Sequence, residues 1–291
     1  MTRALLSFGH GYSAQALSRH LLPRGWHVMG TTRSQDKLAT LEAEGVSPIQ
    51  WPGGHPEDVQ TALNRASFIL VSAGPNDAGD PVLAQWRDQI AETADHVEWI
   101  GYLSTTGVYG DHQGGWVDET TQLTPSTKRG QARVEAEHQW QELAARVGLP
   151  LHIFRLAGIY GPGRGPFSKV RNGTARRILK PNQVFSRIHV EDIAQTLHAS
   201  MRNLNPGAVY NLCDDDPAPP EDVIGYAAHL LNLPLAPAED FETAEMTPMA
   251  RSFYAESKRV RNDRIKQELG VTLKYPTYRD GLQALLAEEN S

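Results

Sequence analysis

With 291 residues, 40% of them hydrophobic and 21% charged, the chain has ordinary globular composition and enough length for one α/β domain plus a smaller lobe. A net charge of −6 offers no attraction to nucleic acid or to an anionic membrane, so neither is expected as a partner. The lone cysteine, Cys213, forbids an internal disulfide and fits a reducing compartment. It follows the apolar run Val209–Leu212 and reads as a small buried hydrophobe rather than a reactive thiol. No stretch approaches the roughly 18 apolar residues of a membrane span. The first apolar run is too short for a signal peptide, which points to the cytoplasm.

In chain order, Ala4–Phe8 reads as a buried strand and residues 12–22 as a helix with Ala14, Leu17 and Leu21 on one face. Pro23 and Gly25 stop that helix. A second strand at 26–31, a helix at 34–44 closed by Gly45, and a short strand at 48–51 follow. Residues 67–73 form a continuous apolar run, as expected of a strand covered on both faces. A helix through Val82, Trp86 and Ile90, a strand at 99–104, a helix at 130–147 and the strand Leu151–Leu156 continue the alternation. This rhythm predicts a Rossmann-type, doubly wound parallel sheet with helices on both faces. The second half is less regular. Gly161, Gly163 and Gly165 mark a loop, and Val190, Ile193, Ala194, Leu197 and Met201 recur at helical spacing. Residues 214–220 break the chain before a helix through Val223, Ala227 and Leu230, and 257–269 reads as one more helix before a polar end. The expected division is a sheet domain at 1–160, to which 184–213 return, and a small mixed lobe from 161–183 and 214–291.

Gly9-His10-Gly11-Tyr12-Ser13-Ala14 fits G-x-G-x-x-[GA], directly after one strand and opening a helix. Gly9 permits the tight turn, Gly11 leaves room for a pyrophosphate, and Ala14 allows close helix–strand packing. The helix start then offers free N–H groups and a positive dipole end to the phosphates. The end of strand two selects the cofactor. An NAD binder places an acid there to hold the ribose hydroxyls. This chain has Thr32, Arg33 and Ser34 instead, and Arg33 suits the extra phosphate of NADP. NADP is therefore expected ahead of NAD.

Several motifs in order resemble the extended short-chain dehydrogenase/reductases, the NAD-dependent epimerase/dehydratase group. Besides the glycine turn, residues 104–110 are similar to S-S-x-x-V-Y-G, residues 155–163 to R-x-x-x-x-Y-G-P-G, and residues 188–194 to I-H-V-D-D-x-A. The pair Tyr210-Asn211 matches the Y-N strand that follows. The resemblance implies that Gly9, Gly11, Tyr12 and Ser13 contact the pyrophosphate and that Thr32 and Arg33 contact the adenosine end. It implies that Ala73 and Gly74 line the cofactor, and it aligns Thr105 with the catalytic serine or threonine. Residues 157–160 would wall the nicotinamide pocket. Arg164 and Arg187 read as substrate-side groups or as solvated surface charge. A homodimer and a small-molecule substrate are implied; no metal-ligand spacing is present.

The likeness fails at the proton relay. The family's Tyr-x-x-x-Lys should fall within 125–137, where alignment on Glu137 puts Arg129 at the tyrosine position and Arg133 at the lysine position. Arginine holds its proton throughout, so it cannot replace this pair as acid or base. The two arginines read either as a phosphate or carboxylate clamp or as a charged helix start. A literal match, Tyr254 to Lys258, reads as coincidence. Tyr109, His112 and His189 are candidate relays, Tyr109 and His189 also fitting structural roles and His112 a solvated loop. Two functions stay open: an NADP-dependent oxidoreductase or epimerase-like enzyme on a small polar substrate, with Thr105 polarising the reacting oxygen, or a non-catalytic NAD(P)-binding sensor.

Overall fold

A computed structural model of the chain describes residues 3–290, apart from the side chain of Met249. Residues 1, 2 and 291, the outermost positions of the expected domain and lobe, lie outside it. The central strands are β1 (Ala4–Phe8), β2 (His27–Thr32), β3 (Ser47–Gln50), β4 (Phe68–Val71), β5 (Trp99–Thr105), β6 (Leu151–Leu156) and β7 (Val209–Leu212). They form one seven-stranded sheet in the order β7-β6-β5-β4-β1-β2-β3, every pair parallel. The α-helices of seven residues or more are α1 (Tyr12–Leu21), α2 (Asp36–Ala43), α3 (Pro56–Arg65), α4 (Pro81–Ala91), α5 (Lys128–Val147), α6 (Val190–Arg202), α7 (Pro220–Leu230), α8 (Asp263–Leu269) and α9 (Tyr278–Glu289). The expected doubly wound Rossmann architecture is present. Strand order reverses between β1 and β4, the switch point at whose carboxyl side open α/β sheets bind their ligands.

Successive strand residues feed opposite faces, because the side-chain period of a strand is two. Leu5, Phe68, Leu70, Trp99 and Phe154 pack against Leu17 of α1 and Ile193 and Leu197 of α6 on one face. Leu6, Phe8, Ile69, Val71, Ile100 and Tyr102 pack against Val82 and Trp86 of α4 and Trp140 of α5 on the other. Asp80 joins the two helices on that face. Its Oδ1 caps α4 by accepting from the Val82 and Leu83 amides at 2.9 Å, and its Oδ2 accepts from the Trp140 indole at 3.1 Å. A separate cluster gathers Tyr160, Phe167, Val223, Ala227, Tyr278, Leu282 and Leu285 between α7, α9 and the short helix Phe167–Arg171. Beside it, Arg177–Leu179 and Ala238–Asp240 pair as a two-stranded ladder. Among the described residues no helix is long and apolar enough to cross a membrane.

Three elements differ from the sequence reading. Helix α3 lies in a stretch that the hydrophobic pattern left blank. Its markers are Pro56 in the first turn, Glu57 and Asp58 at the positive dipole end, and Val59, Ala62 and Leu63 on the buried face. The helix expected over 257–269 forms only as α8. Ahead of it, Arg259–Val260 runs extended and pairs with Trp116–Val117, because edge-strand amides there outcompete a helical turn. Ile265, Leu269, Val271 and Leu273 then pack into the main core beside Leu5 and Leu17. The end of the chain is helix α9, not merely polar tail. Thr277 and Asp280 form a reciprocal capping box at its start.

Candidate functional site

The glycine turn is gripped from below by β2. The Gly9 amide donates to the Thr31 hydroxyl at 2.8 Å, and the His10 amide donates to the Thr31 carbonyl at 2.7 Å. Gly9 has φ +79, and a Cβ there would lie 2.9 Å from the Ala73 nitrogen. Only glycine meets both conditions, so β1 and β4 close on each other at this point. Gly11 is the opposite case. A Cβ on it would meet nothing within 4 Å, so the space above the turn is open. Helix α1 begins at Gly11 with no side-chain cap, and its first internal bond runs from Gln15 to the Gly11 carbonyl at 2.8 Å. An uncapped helix start facing open space is a ready anion site.

His10 lies under this turn, buried. Ser18 donates its hydroxyl proton back to the Ala14 carbonyl at 3.0 Å, so at 3.0 Å from His10 Nε2 it accepts. The imidazole therefore carries its proton on Nε2, and burial lowers its pKa to about 4, with Arg19 adding to the effect. A Cβ on Gly30 would lie 2.6 Å from this ring, which explains the glycine in mid-strand. Neither His10 nor Gly30 stood out in the sequence as more than motif filler.

The other expected residues line the same carboxyl edge of the sheet. Thr32 ends β2, and its hydroxyl accepts the Ser34 amide at 3.3 Å. Arg33 follows, exposed, with no hydrogen bond or ion pair among the described residues. Ala73 and Gly74 follow β4, and Thr105 ends β5 with its hydroxyl accepting the Gly107 amide at 3.2 Å. Ser13 is buried in the first turn of α1. The Tyr12 side chain turns aside: its hydroxyl donates to the Pro162 carbonyl at 3.0 Å, and the Arg164 guanidinium lies 5.6 Å from its ring centroid. The loop at 161–165 is thereby pinned over α1.

Arg133, expected from the resemblance at the relay lysine's position, reaches the sheet edge. Its Nη1 donates to the Tyr102 hydroxyl at 3.0 Å and the Leu103 carbonyl at 2.8 Å. Burial holds the Tyr102 hydroxyl well above the ordinary tyrosine range, so it stays protonated. Arg129, one helical turn earlier, is exposed. Four residues on from Arg133, Glu137 forms a buried ion pair with Arg155, Nη2 to Oε2 2.8 Å, the side chains 2% and 6% exposed. Ser104 donates to the same carboxylate. Arg155 also donates to the Tyr109 hydroxyl at 3.0 Å, which donates to Asn211 at 2.7 Å. Burial raises the Tyr109 pKa to about 12. Tyr109 is thus part of a bracing network across β5, β6 and β7.

The remaining candidates are held by the fold. His189 is buried; its Nδ1 accepts the Glu191 amide at 3.2 Å, and burial drops its pKa to about 4. His112 is not the solvated loop residue expected: it is half-buried, with Nε2 3.1 Å from the Tyr109 carbonyl. Arg187 is not solvated surface charge either. It donates to the Phe185 and Ala218 carbonyls at 2.8 and 3.0 Å. Lys258 donates to the Gly110 carbonyl and pairs with Glu256, both at 2.7 Å, while the Tyr254 ring packs on Phe185 and Phe241. These two act apart. Cys213 is fully buried, its thiol donating to the Val260 carbonyl at 3.1 Å, and burial pushes its pKa up. Among the described residues no group of three or more His, Cys, Asp or Glu could hold a metal ion.

Protein YeeZ of Escherichia coli (strain K12) is 28% identical over 277 residues, covering 92% of this chain and 94% of YeeZ. A functionally unknown conserved protein from Silicibacter pomeroyi DSS shares 62% identity, covers 99% of both chains and superposes with a TM-score of 0.94. The dTDP-glucose 4,6-dehydratase from Bacillus anthracis str. Ames, solved in complex with NAD, has a TM-score of 0.79 at 16% identity, over 99% of this chain and 97% of that one. The family described as NAD dependent epimerase/dehydratase matches residues 8–213, from the end of β1 through β7, and the chain belongs to that family.

Proposed function

We propose that the protein binds NADP(H) at the glycine turn and acts as an oxidoreductase or epimerase-like enzyme on a small polar substrate. The observation that carries this is the open, uncapped start of α1 beside a free Arg33 at the end of β2. Gly9, Gly11 and Ser13, with the main chain of Tyr12, would hold the pyrophosphate. Thr32 and Arg33 would hold the adenosine ribose and its extra phosphate, and Ala73 and Gly74 would lie under the nicotinamide half. When bound, the nicotinamide supplies or accepts a hydride. Thr105 would orient the reacting oxygen, and water would exchange the proton, since neither arginine at the relay positions can. Nucleotide sugars are a reasonable substrate class to test, because a related structure at 20% identity is MoeE5 in complex with UDP-glucuronic acid and NAD. A reducing cytoplasm suits lone Cys213, and a homodimer belongs to the same reading.

A second reading, a cofactor sensor without turnover, is supported by the alignment on Glu137, which would put Arg129, exposed here, in place of the relay tyrosine. Steady-state NADPH oxidation over nucleotide sugars, ketones and aldehydes separates the two, since a sensor binds NADPH and turns over none of them. The cofactor is tested by calorimetry on Arg33→Ala. A charge-assisted contact is worth about 1.5–3 kcal/mol, so NADPH affinity should fall at least about tenfold with NADH unaffected. Equal loss for both dinucleotides removes the 2′-phosphate role.

A further inference from the structure

Gly130 sets two arginines beside the Thr105 turn. A Cβ on Gly130 would lie 2.9 Å from the Gly107 carbonyl oxygen, so the first turn of α5 sits directly on the turn that Thr105 opens. Arg133 spends one nitrogen on the protein, Nη1 bonding both Tyr102 and Leu103. That fixes the guanidinium plane. Its Nη2 has no acceptor among the described residues and stands over Gly74, where a Cβ would lie 2.7 Å from it. Arg129 is one helical turn earlier on the same face of α5 and has no partner among the described residues. The arrangement is adverse in the free protein. Like charges four residues apart on a helix repel, and both lie near the positive end of a helix with no acid in its first turn.

We propose that Arg129 and Arg133 form an anion clamp: the molecule bound beside Thr105 carries a carboxylate or phosphate that the two guanidiniums hold together. Two planar forks match the oxygens of such a group, and guanidinium never yields its proton, so the pair supplies charge and geometry only. A bound anion relieves the repulsion that the free protein carries. The clamp rests on the dinucleotide reading for where the ligand lies, but its test is separate. The anion could come from a substrate or from the dinucleotide itself.

The experiment is calorimetry and thermal melting of the full chain with malonate, and with the uncharged isostere malonamide, with and without saturating NADPH. Malonate should bind and raise Tm, and malonamide should not. Arg129→Gln and Arg133→Gln should each weaken malonate by about tenfold, and Arg133→Lys should recover part of the loss. Arg129→Gln touches no protein group, so it keeps the test decisive if Arg133→Gln, which also loses Tyr102 and Leu103, fails to fold. Malonate binding that persists with NADPH bound assigns the clamp to a substrate anion. Competition between the two assigns it to the dinucleotide phosphates. Equal response to malonate and malonamide, or wild-type malonate affinity in Arg129→Gln, overturns the clamp. NADPH binding in the same samples reports on the dinucleotide reading: a wild type that binds NADPH and ignores malonate discards the clamp alone.

Discussion

The β1–α1 turn and the first turn of α5 both lie by the carboxyl edge of the sheet, yet they are built differently. At the first, residues and geometry agree: Gly9 needs its positive φ and its contact with Ala73, and Gly11 fronts open space. At the second, packing and charge are divided between different residues. Gly130 seats α5 on the Gly107 carbonyl and Glu137 pairs with Arg155, while Arg129 and Arg133 carry charge on the same helix. The backbone of a site is thus held by groups other than those that do its chemistry. Packing and a buried ion pair keep α5 in place without help from Arg129.

That separation can be broken at its strongest point. Removing one partner of a buried ion pair leaves the other charge uncompensated, at a cost of about 3–5 kcal/mol. Glu137→Ala should show that loss in urea unfolding, because Arg155 and Ser104 lose their common acceptor. A loss below about 1 kcal/mol, typical of an exposed pair, would mean that α5 is held by packing alone.

The glycine turn gives a sharper contrast. Gly9→Ala forces a side chain onto φ +79 and into the Ala73 backbone, and should cost about 1–3 kcal/mol of stability as well as dinucleotide binding. Gly11→Ala, at φ −93 with no neighbour, should leave stability within about 0.5 kcal/mol and still lose dinucleotide affinity on the order of tenfold. Melting and NADPH titration of both variants test this. Equal stability loss would mean that the space above Gly11 is not open, and unchanged NADPH affinity in Gly11→Ala would mean that it is not a ligand site.

The last expected effect is a pH slope, spread over several pH units rather than concentrated in one substitution. Asp214 is buried, its Oδ2 has no partner among the described residues, and burial raises its pKa from 3.8 to about 8 against the pull of Arg187. Between these values the unfolded chain releases a proton that the folded chain keeps. Stability should therefore fall as pH rises from about 4 to about 8, by at most roughly 1.4 kcal/mol per unit, and level off above. Asp214→Asn should flatten the slope. An unchanged slope would assign it to other groups.

Much of the first half was legible because a strand covered on both faces has little choice of residues. The run Phe68–Val71 and the alternation of Leu5 and Leu6 between the two cores admit few other readings. Helix α3 was missed although Pro56, Glu57 and Val59 announce it, since its apolar face is narrow. Residues 257–262 misled because their pattern permits a helix, and pairing with Trp116–Val117 overrode it. His112 looked solvated because its neighbours are polar; its packing under the Tyr109 carbonyl involves main chain, which leaves no trace in residue type.

Local chemistry therefore specified the parallel sheet, the glycine turn and the basic end of β2, because backbone conformation, hydrophobic period and charge are properties of short stretches. Folding alone settled which distant groups meet: Glu137 with Arg155, Gly74 under Arg133, Tyr12 with the loop at 161–165. Those contacts arise when separate strands and helices converge at one sheet edge, and no local pattern encodes a distance between segments that are far apart in the chain.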